Sequence, residues 1–473
     1  MDLKYDDVLD LMNEHKINKI YVIATLITGL GFFLFGYDTA IISTSLIFVT
    51  PLFHLTTVEV SFLVAGESIL AAIGALVAGP IVDKYGRKKM LIADGAMYFV
   101  FAVLTAVASS GFLLIIWRTL IGFSIGADTA IATGYISEFA PSKSRGRFAI
   151  TSVLMGFSGE IAAFWAGLFL SYSSDWRLMF GLGAIPAVIL LSLRFYLPES
   201  PRWLLIKDRI DDAKRSLSKF GLEITENVIK PAKEKTYREL IKEKSIRSTL
   251  LIIGLFLVFE QITGVNIILY FGPTIYTYMG LTGPRAIFVT AISESLGAIE
   301  YALSFFLIDR WGRRRLGVFG YMGIAISFIL MLIGIRYLDV HLILLAVIFV
   351  FSGMTLFLLF FHIGVGGVGW VLQGETLPTA FRGRGMGILA SMDWTANFII
   401  IFIFPYWHTY IGLFSFFEFE LGLSVVALII IVLFLPETKN IPLEKMPELF
   451  SRKYRYMRKP FKYDGESKSG SKK

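Results

Sequence analysis

The hydrophobic positions of this chain fall into long runs, and a run of about 20 apolar residues is the length that crosses a bilayer as a helix. Twelve runs are present, near residues 19-44, 58-81, 89-108, 112-136, 148-171, 178-197, 249-278, 285-308, 316-335, 341-373, 385-407 and 413-435. The longest polar interruption, residues 198-248, divides them into six and six. The pattern predicts an all-α membrane protein with twelve transmembrane helices, numbered here as spans 1 to 12.

The basic residues indicate how these spans are oriented, because cytoplasmic loops carry an excess of Lys and Arg. Of the 45 Lys and Arg, 40 lie in the N-terminal segment, in alternate connections and in the C-terminal tail. We therefore expect both termini in the cytoplasm. The predicted parts are a cytoplasmic N-terminus (1-18), a six-helix bundle (19-197), a cytoplasmic linker with short helices (198-248), a second six-helix bundle (249-435) and a basic cytoplasmic tail (436-473).

Composition and missing motifs exclude several classes of protein. The absence of cysteine rules out disulfides, thiolate metal sites and cysteine nucleophiles. The net charge of +8 arises from residues that flank the spans, so it indicates lipid contact rather than nucleic acid. Neither the phosphate-binding GxxxxGK[ST] loop nor the zinc motif HExxH occurs. We expect no enzyme activity, no cofactor and no metal site.

The two halves of the chain repeat one another. DKYGR (Asp83 to Arg87) recurs as DRWGR after 226 residues, EFAPSKSRGR as ETLPTAFRGR after 237, and LPES as LPET after 238. Parallel six-helix repeats place a substrate site at their interface near the membrane midplane, with access alternating between the two sides. The duplication therefore predicts a secondary transporter, whereas a channel or a receptor would not need it.

Polar side chains in span 7 are the first candidates for a substrate site. Glu260, Gln261 and Asn266 lie in an otherwise apolar segment, where polar groups are costly unless they have a function or a partner. Gln261 and Asn266 are five residues apart, so they share a helix face only if Gly264 and Gly272 loosen the helix.

Seven groups of residues, taken in order, resemble the sugar porters of the major facilitator superfamily. They are FLFGYDTAIIST, GPIVDKYGRKK, RTLIGF with SEFAPSKSRGR, PESPRWL, EQITGVN, WVLQGETLPTAFRGR and PETK. The resemblance covers nearly the whole chain. It implies the major facilitator fold, with two pseudo-symmetric six-helix bundles, and uptake of a monosaccharide with a proton by alternating access. We expect a monomer in the cell (plasma) membrane, with lipid, a monosaccharide and protons as its partners and no nucleic acid.

The resemblance also assigns roles to individual residues. Asp38 in span 1 and Arg118 in span 4 match a pair that couples protons in the symporters, although a static salt bridge is the alternative. The implied sugar site consists of Phe35, Gln261, Asn266, Tyr270, Gly366, Trp370, Trp394 and Asn397. The implied cytoplasmic gate, which closes in the outward-facing state, consists of Asp83, Gly86, Arg87, Glu138, Arg145, Glu199, Arg202, Asp309, Gly312, Arg313, Glu375, Arg382 and Glu437.

Acids replace amides at three positions of the implied site, because the chain has Glu160, Glu260 and Asp393 where the family commonly has Gln. In span 8, Glu294 and Glu300 lie nearby. One interpretation is a sugar site whose acids are protonated and imitate Gln. The other is a site for a cationic or amino-bearing solute, because ionised buried carboxylates need a positive partner. A passive sugar facilitator and a non-transporting nutrient sensor are further alternatives.

Four more ionisable residues lie in spans 2, 3, 4 and 10. We expect Glu67 and Asp128 either to line the cavity or to pair locally. Asp94, near the cytoplasmic end of span 3, is expected in the charge network of the following loop motif. His362 is expected to be a core histidine whose hydrogen bonds are satisfied, rather than a proton carrier.

Overall fold

The computed structural model describes residues 3–4, 8, 11–12, 17–139, 145–223, 228–229, 239, 241–377, 379–439 and 449–450. In this part of the chain the secondary structure is helical except for two short parallel strands, β1 (Leu3–Lys4) and β2 (Val228–Ile229), which pair with each other.

Seven helices of the described residues form the six membrane spans of the first half, and two short helices follow them. The spans are made by α1 (Lys19–Leu52), α2 (Thr57–Tyr85), α3 (Arg87–Ala106), α4 (Gly111–Phe139), α5 (Arg145–Ser171), α6 (Trp176–Gly181) and α7 (Ala184–Arg194). The last two of these together form span 6. The short helices are α8 (Pro201–Ile206) and α9 (Ile210–Lys219).

The second half also supplies six spans. Its helices are α10 (Lys244–Ile262), α11 (Val265–Tyr278), α12 (Gly283–Trp311), α13 (Arg313–Asp339), α14 (Ile343–Phe360), a π-helical turn (Phe361–Gly366), α15 (Gly367–Glu375), α16 (Thr379–Tyr410) and α17 (Leu413–Phe434). Span 7 joins α10 to α11, and span 10 runs from α14 into α15. The described residues contain twelve stretches long and apolar enough to cross a membrane, which confirms the predicted number.

The ends of the helices follow local sequence signals. The side chain of Thr56 accepts a hydrogen bond from the backbone of Glu59, whose carboxylate accepts one from the Thr56 backbone, so α2 begins with a capping box. Helix α2 ends at Gly86, with φ +96°, and α12 ends at Gly312, with φ +89°. Only glycine adopts such angles without strain. The repeated loop motif therefore makes the same sharp turn in both halves.

The first helix is longer than predicted. The expected span ended at residue 44, but α1 continues to Leu52. The apolar residues Ile47, Phe48 and Val49 extend the hydrophobic run, and Pro51 lies in the last turn of the helix.

Glycines allow close packing between helices of the second half. A Cβ atom added to Gly364 in the π-helical turn would lie 2.5 Å from the Cα atom of Gly320 in α13. Small residues at such crossings bring backbones into van der Waals contact, which stabilises helix pairs in membranes. The crossing holds span 10 firmly against span 9.

Among the described residues, three pairs of helices make the most extensive contacts between the two halves. Helix α16 packs against α2, α12 against α5, and α11 against α1. Hydrogen bonds cross this interface: the Ser68 hydroxyl donates to the Asn397 side chain at 2.6 Å, and the Trp165 indole donates to the Ser295 hydroxyl at 3.1 Å. Polar groups therefore lie between two apolar bundles, where a substrate site is expected.

The short helices after span 6 attach to the first half and to the N-terminal segment. Val8 and Met12 share a buried cluster with Trp203 and Leu217. The Trp203 indole also donates a hydrogen bond to the backbone carbonyl of Asp83, at 3.0 Å. This contact ties α8 to the loop motif between α2 and α3.

We predict that Gly364→Val destabilises the protein and that Gly422→Val does not. The added side chain at position 364 would collide with the Gly320 backbone, whereas nothing lies within 4 Å of a Cβ at position 422. The expected loss is about 1–3 kcal/mol. Thermal unfolding of both variants in detergent measures the difference, and equal melting temperatures would contradict the packing described for spans 9 and 10.

Candidate functional site

A break in span 7 lies at the centre of the candidate site. Gly264 separates α10 from α11 and has the left-handed φ of +91°, which side-chain-bearing residues rarely adopt. The break brings Asn266 back toward Gln261, so that the Asn266 amide nitrogen donates to the Gln261 side-chain oxygen at 2.5 Å. Gly272 lies inside α11 and packs against Thr290. Gly264 alone therefore provides the irregularity that the two amides need.

The side chain of Gln261 joins residues from three helices. Its amide nitrogen donates to the Asp393 carboxylate at 2.8 Å, and its oxygen accepts from Asn397 at 3.0 Å as well as from Asn266. The Asn397 oxygen in turn accepts from Ser68 of the first half. The network offers several donors and acceptors within a small volume, which is what a ligand rich in hydroxyl groups requires.

Aromatic rings from the two halves meet beside this network. Phe35 of α1 and Trp394 of α16 make an edge-to-face contact with ring centroids 5.5 Å apart. Phe32 and Trp370 make a similar contact at 6.4 Å, and Trp370 is 39% exposed. Edge-to-face pairs add to the stability of an interface beyond the area they bury. Gly366 precedes Trp370 in span 10, and a Cβ atom added to it would contact the ring of Phe361.

The acidic residues do not all join the Gln261 network. Asp393 does, but the carboxyl group of Glu260 points toward Gly369 of α15, and one of its oxygens has no hydrogen-bond partner among the described residues. Glu160 of α5 and Glu294 of α12 lie within electrostatic range of each other across the interface between the halves. The site therefore combines amides with carboxyl groups that lack a nearby basic partner in the described part of the chain.

His362 is buried and paired with an acid. Its Nδ1 atom lies 3.3 Å from a carboxyl oxygen of Glu300, and its ring contacts the edge of Phe157. The residue is 4% exposed. This environment is that of a core histidine with a hydrogen-bond partner.

The first of two buried ion clusters surrounds Arg118. Its guanidinium contacts Asp38 of α1 at 3.1 Å and Glu67 of α2 at 2.5 Å, and it donates to the Leu63 carbonyl at 3.3 Å. The Arg118 side chain is 0% exposed, and its guanidinium carbon lies 5.6 Å from the centroid of the Phe180 ring. Asp38 thus has the arginine partner expected for it, and Glu67 is a second acid on the same arginine.

The second buried cluster repeats this composition around Arg194. The guanidinium pairs with Asp94 of α3 at 3.1 Å and with Asp128 of α4, and it donates to the Leu91 carbonyl at 2.6 Å. The prediction for Asp94 is wrong, because its side chain points into the bundle toward α7 and not toward the loop. The signal for this pairing was Arg194 itself, a charged residue within an apolar run.

The motifs assigned to the expected cytoplasmic gate form matching contacts within each half. The carboxylate of Glu199 accepts from the backbone nitrogens of Arg87 and Lys88, at 2.8 and 3.1 Å. Glu437 accepts in the same way from Arg313 and Arg314, at 2.9 and 3.2 Å. Glu199 therefore lies at the N-terminus of α3 and Glu437 at the N-terminus of α13, where the helix dipole favours a negative charge.

Side-chain ion pairs add to the gate contacts in the first half. Arg87 pairs with Glu138 at 2.7 Å and more loosely with Asp83 at 3.4 Å. Burial raises the pKa of the Glu138 carboxyl group. The positive charges of Arg87 and Arg202 act in the opposite direction and lower it in part. The predicted gate side chains of Arg145, Asp309, Glu375 and Arg382 lie outside the described residues.

Glu420 of α17 is a buried acid that the sequence analysis did not single out. It is 0% exposed, and neither carboxyl oxygen has a hydrogen-bond partner among the described residues. One oxygen lies 3.3 Å from the position of a Cβ on Gly264. An acid in an apolar span is a functional candidate by default, so its presence in span 12 was the available signal.

Comparisons with known proteins agree on one family. The profile of the Sugar (and other) transporter family matches residues 24–450. The putative metabolite transport protein YncC of Bacillus subtilis (strain 168) is 33% identical over 463 residues, which are 94% of this chain and 97% of that protein. The D-xylose transporter of Levilactobacillus brevis is 31% identical over 388 residues, 80% of this chain and 84% of that protein.

A solved structure is similar over most of its length. It is a partially occluded inward open conformation of the xylose transporter XylE from E. coli, with a TM-score of 0.76 and 24% sequence identity. The match covers 90% of this chain and 100% of that chain. At this identity the likeness shows the major facilitator fold.

We predict that Arg194→Met destabilises the protein at neutral pH by about 3–5 kcal/mol, because it leaves two buried carboxyl groups without their counter-ion. The loss should shrink as the pH falls, because protonation then neutralises the two acids. Thermal unfolding in detergent across a pH series measures both effects.

The matched control is Arg215→Met, since Arg215 is 76% exposed and pairs with Asp212 at the surface. An exposed pair contributes at most about 1 kcal/mol. Similar losses in the two variants would show that the Arg194 cluster does not stabilise the bundle.

Proposed function

This chain belongs to the Sugar (and other) transporter family of the major facilitator superfamily, so it is a transporter and not an enzyme, and we propose that it carries a monosaccharide inward together with a proton. The observation that carries this proposal is the buried contact between Asp38 and Arg118, which Tyr270 of α11 links to the polar network of span 7. The relative from Levilactobacillus brevis, a D-xylose transporter, supports a sugar as the substrate.

The sugar binds to the Gln261 network in this proposal. Its hydroxyl groups replace the contacts that Gln261, Asn266 and Asn397 now make with one another, so few polar groups lose a partner on binding. The apolar face of the sugar ring lies against Trp394 or Phe35, which come from opposite halves. The substrate thus contacts both halves at once.

Helix α11 connects the sugar to the proton. Asn266 and Tyr270 are four residues apart on this helix and therefore lie on one face, one turn from each other. Tyr270 is buried beside Thr39 of α1 and lies within electrostatic range of Asp38, Glu67 and Arg118. A movement of α11 that follows sugar binding at Asn266 changes the surroundings of the proton-binding acid.

Alternating access follows from movement at the α1–α11 contact. Helix α1 packs against α11 across the two halves. In this proposal, the outer ends of the two helices, near Val49 and Met279, close the outer side of the cavity. Opening to the outside separates the two helices, while the gate motifs close the cytoplasmic side. The protein acts in the cell (plasma) membrane with both termini in the cytoplasm, as a monomer.

A cationic or amino-bearing solute is the second candidate substrate. The observation that favours it is the position of Glu160 and Glu294, two carboxyl groups within electrostatic range of each other at the interface between the halves. When ionised, they would attract a positive charge. When protonated, they would offer a sugar the same shape and hydrogen bonds as glutamine.

We predict that Asp38→Asn abolishes proton-driven accumulation of sugar and leaves sugar exchange intact. The amide preserves the shape of the carboxyl group but cannot bind the transported proton. Uptake of a labelled sugar panel into proteoliposomes, with and without an inward proton gradient, measures accumulation. Exchange across the same vesicles without a gradient shows whether the variant still binds and moves sugar.

Two results would contradict the proposal. Wild-type uptake that is the same with and without the gradient would make the protein a passive facilitator with Asp38 as a structural residue. No uptake of any sugar would instead favour the cationic solute.

We predict that Glu160→Gln and Glu260→Gln change sugar affinity by less than about threefold, because glutamine reproduces a protonated glutamate. For a cationic substrate the same changes remove the charge that attracts it, so its affinity would fall by tenfold or more, about 1.4 kcal/mol. Equilibrium binding of a sugar and of an amino sugar, measured over a pH series, separates the two candidates.

The control is Asp339→Asn, which removes an acid that is 58% exposed and distant from the site. Loss of sugar binding at every pH in both glutamine variants, but not in the control, would contradict the interpretation that these acids imitate glutamine.

A further inference from the structure

The Arg118 cluster carries one more negative charge than positive charge. Asp38 and Glu67 are both acids, and the single guanidinium of Arg118 lies between them. The side chains of Arg118 and Glu67 are 0% exposed and that of Asp38 is 7% exposed. A net charge at such a place is unfavourable, and one bound proton removes it.

The geometry also favours a proton between the two acids. Both carboxyl groups contact the same guanidinium, at 3.1 Å for Asp38 and 2.5 Å for Glu67, so they are held close to each other. Ionised carboxylates only accept hydrogen bonds, so two of them can bond to each other only if one is protonated. Oδ2 of Asp38 faces the Arg118 guanidinium at 3.1 Å, and Oε1 of Glu67 has no hydrogen-bond partner among the described residues.

We propose that Glu67 and Asp38 bind the transported proton as a pair, with Arg118 as their common counter-ion. This inference rests on the proposed proton symport and adds Glu67 to its machinery. The proton enters as H⁺ and bonds to the carboxylate of Asp38, the carboxylate of Glu67 stays ionised beside the guanidinium, and the cluster changes from a net charge of −1 to zero. Release reverses these steps, and no other bond forms or breaks.

The pair solves a difficulty that a single acid would create. If Asp38 were the only partner of Arg118, its protonation would leave a buried guanidinium without a counter-ion, which is costly. With two acids, Arg118 keeps an ionised partner whether the proton is bound or not. The titratable groups that face the cluster from neighbouring helices, among the described residues, are Tyr37, Tyr98 and Tyr270. Among these groups, the positive charge that balances the two acids therefore comes from Arg118.

The position of the cluster distinguishes it from the similar cluster around Arg194. Asp94, Asp128 and Arg194 all belong to the first half. Asp38 is followed by Thr39, which lies against Tyr270 of the second half. Relative movement of the halves therefore changes the surroundings of Asp38 and Glu67 more than those of the Arg194 cluster, which provides an internal control.

The first test is the pH dependence of proton-driven sugar accumulation in proteoliposomes. Glu67→Gln leaves Asp38 as the only partner of Arg118, so proton binding needs a more acidic solution. The external pH of half-maximal accumulation should fall by about one unit or more, while gradient-free exchange survives. Glu67→Asp should restore much of the wild-type profile. Asp128→Asn, the matched change in the second cluster, should leave the profile unchanged.

The second test needs no substrate and compares melting temperatures in detergent at neutral pH. Asp38→Asn and Glu67→Gln should each be tolerated, because one acid still pairs with Arg118. The double variant leaves Arg118 alone and should lose more than the sum of the single losses.

The two tests separate this inference from the proposed function. Wild-type protein without proton-driven accumulation would refute the symport, and the melting series would then decide whether the two acids share Arg118. A Glu67→Gln variant with the wild-type pH profile would overturn the role of Glu67 in proton binding. Additive losses in the double variant would overturn the shared counter-ion.

Discussion

An arginine buried in the membrane needs a carboxylate beside it, and the first half of this protein is arranged around two such arginines. Arg118 connects α1, α2 and α4, and Arg194 connects α3, α4 and α7. Each arginine has two acidic partners where one would neutralise it. In the Arg118 cluster, which faces the second half, we propose that the second acid lets a proton bind while the ion pair persists.

The break at Gly264 connects this electrostatic arrangement to substrate recognition. It directs Asn266 toward Gln261 and starts a second helix, α11, that carries Tyr270 to the Arg118 cluster. An unbroken helix would place the two amides on different faces. One irregular residue therefore allows a single short helix to contact both the candidate sugar site and the candidate proton site, which is the simplest physical basis for coupling them.

Much of the fold could be predicted from the sequence because its determinants are local. The apolar runs define the spans, and the repeated glycines at positions 86 and 312 make the same turn in both halves. The partners of buried charges are not local. Arg194 pairs with acids 66 and 100 residues away, and no local pattern links them. The polar residues of span 7 were recognisable from their cost in a membrane, whereas their bonds to Asp393 and Asn397 depend on how α16 packs.

The central claim is that sugar and proton cross the membrane together, and the most direct measurement follows the proton rather than the sugar. Wild-type protein is reconstituted into vesicles that contain a pH-sensitive dye, and sugar is added outside without any initial proton gradient. If sugar and proton cross together, the vesicle interior becomes more acidic as sugar enters. This acidification should require both sugar and protein. Entry of labelled sugar at a constant internal pH would contradict the claim.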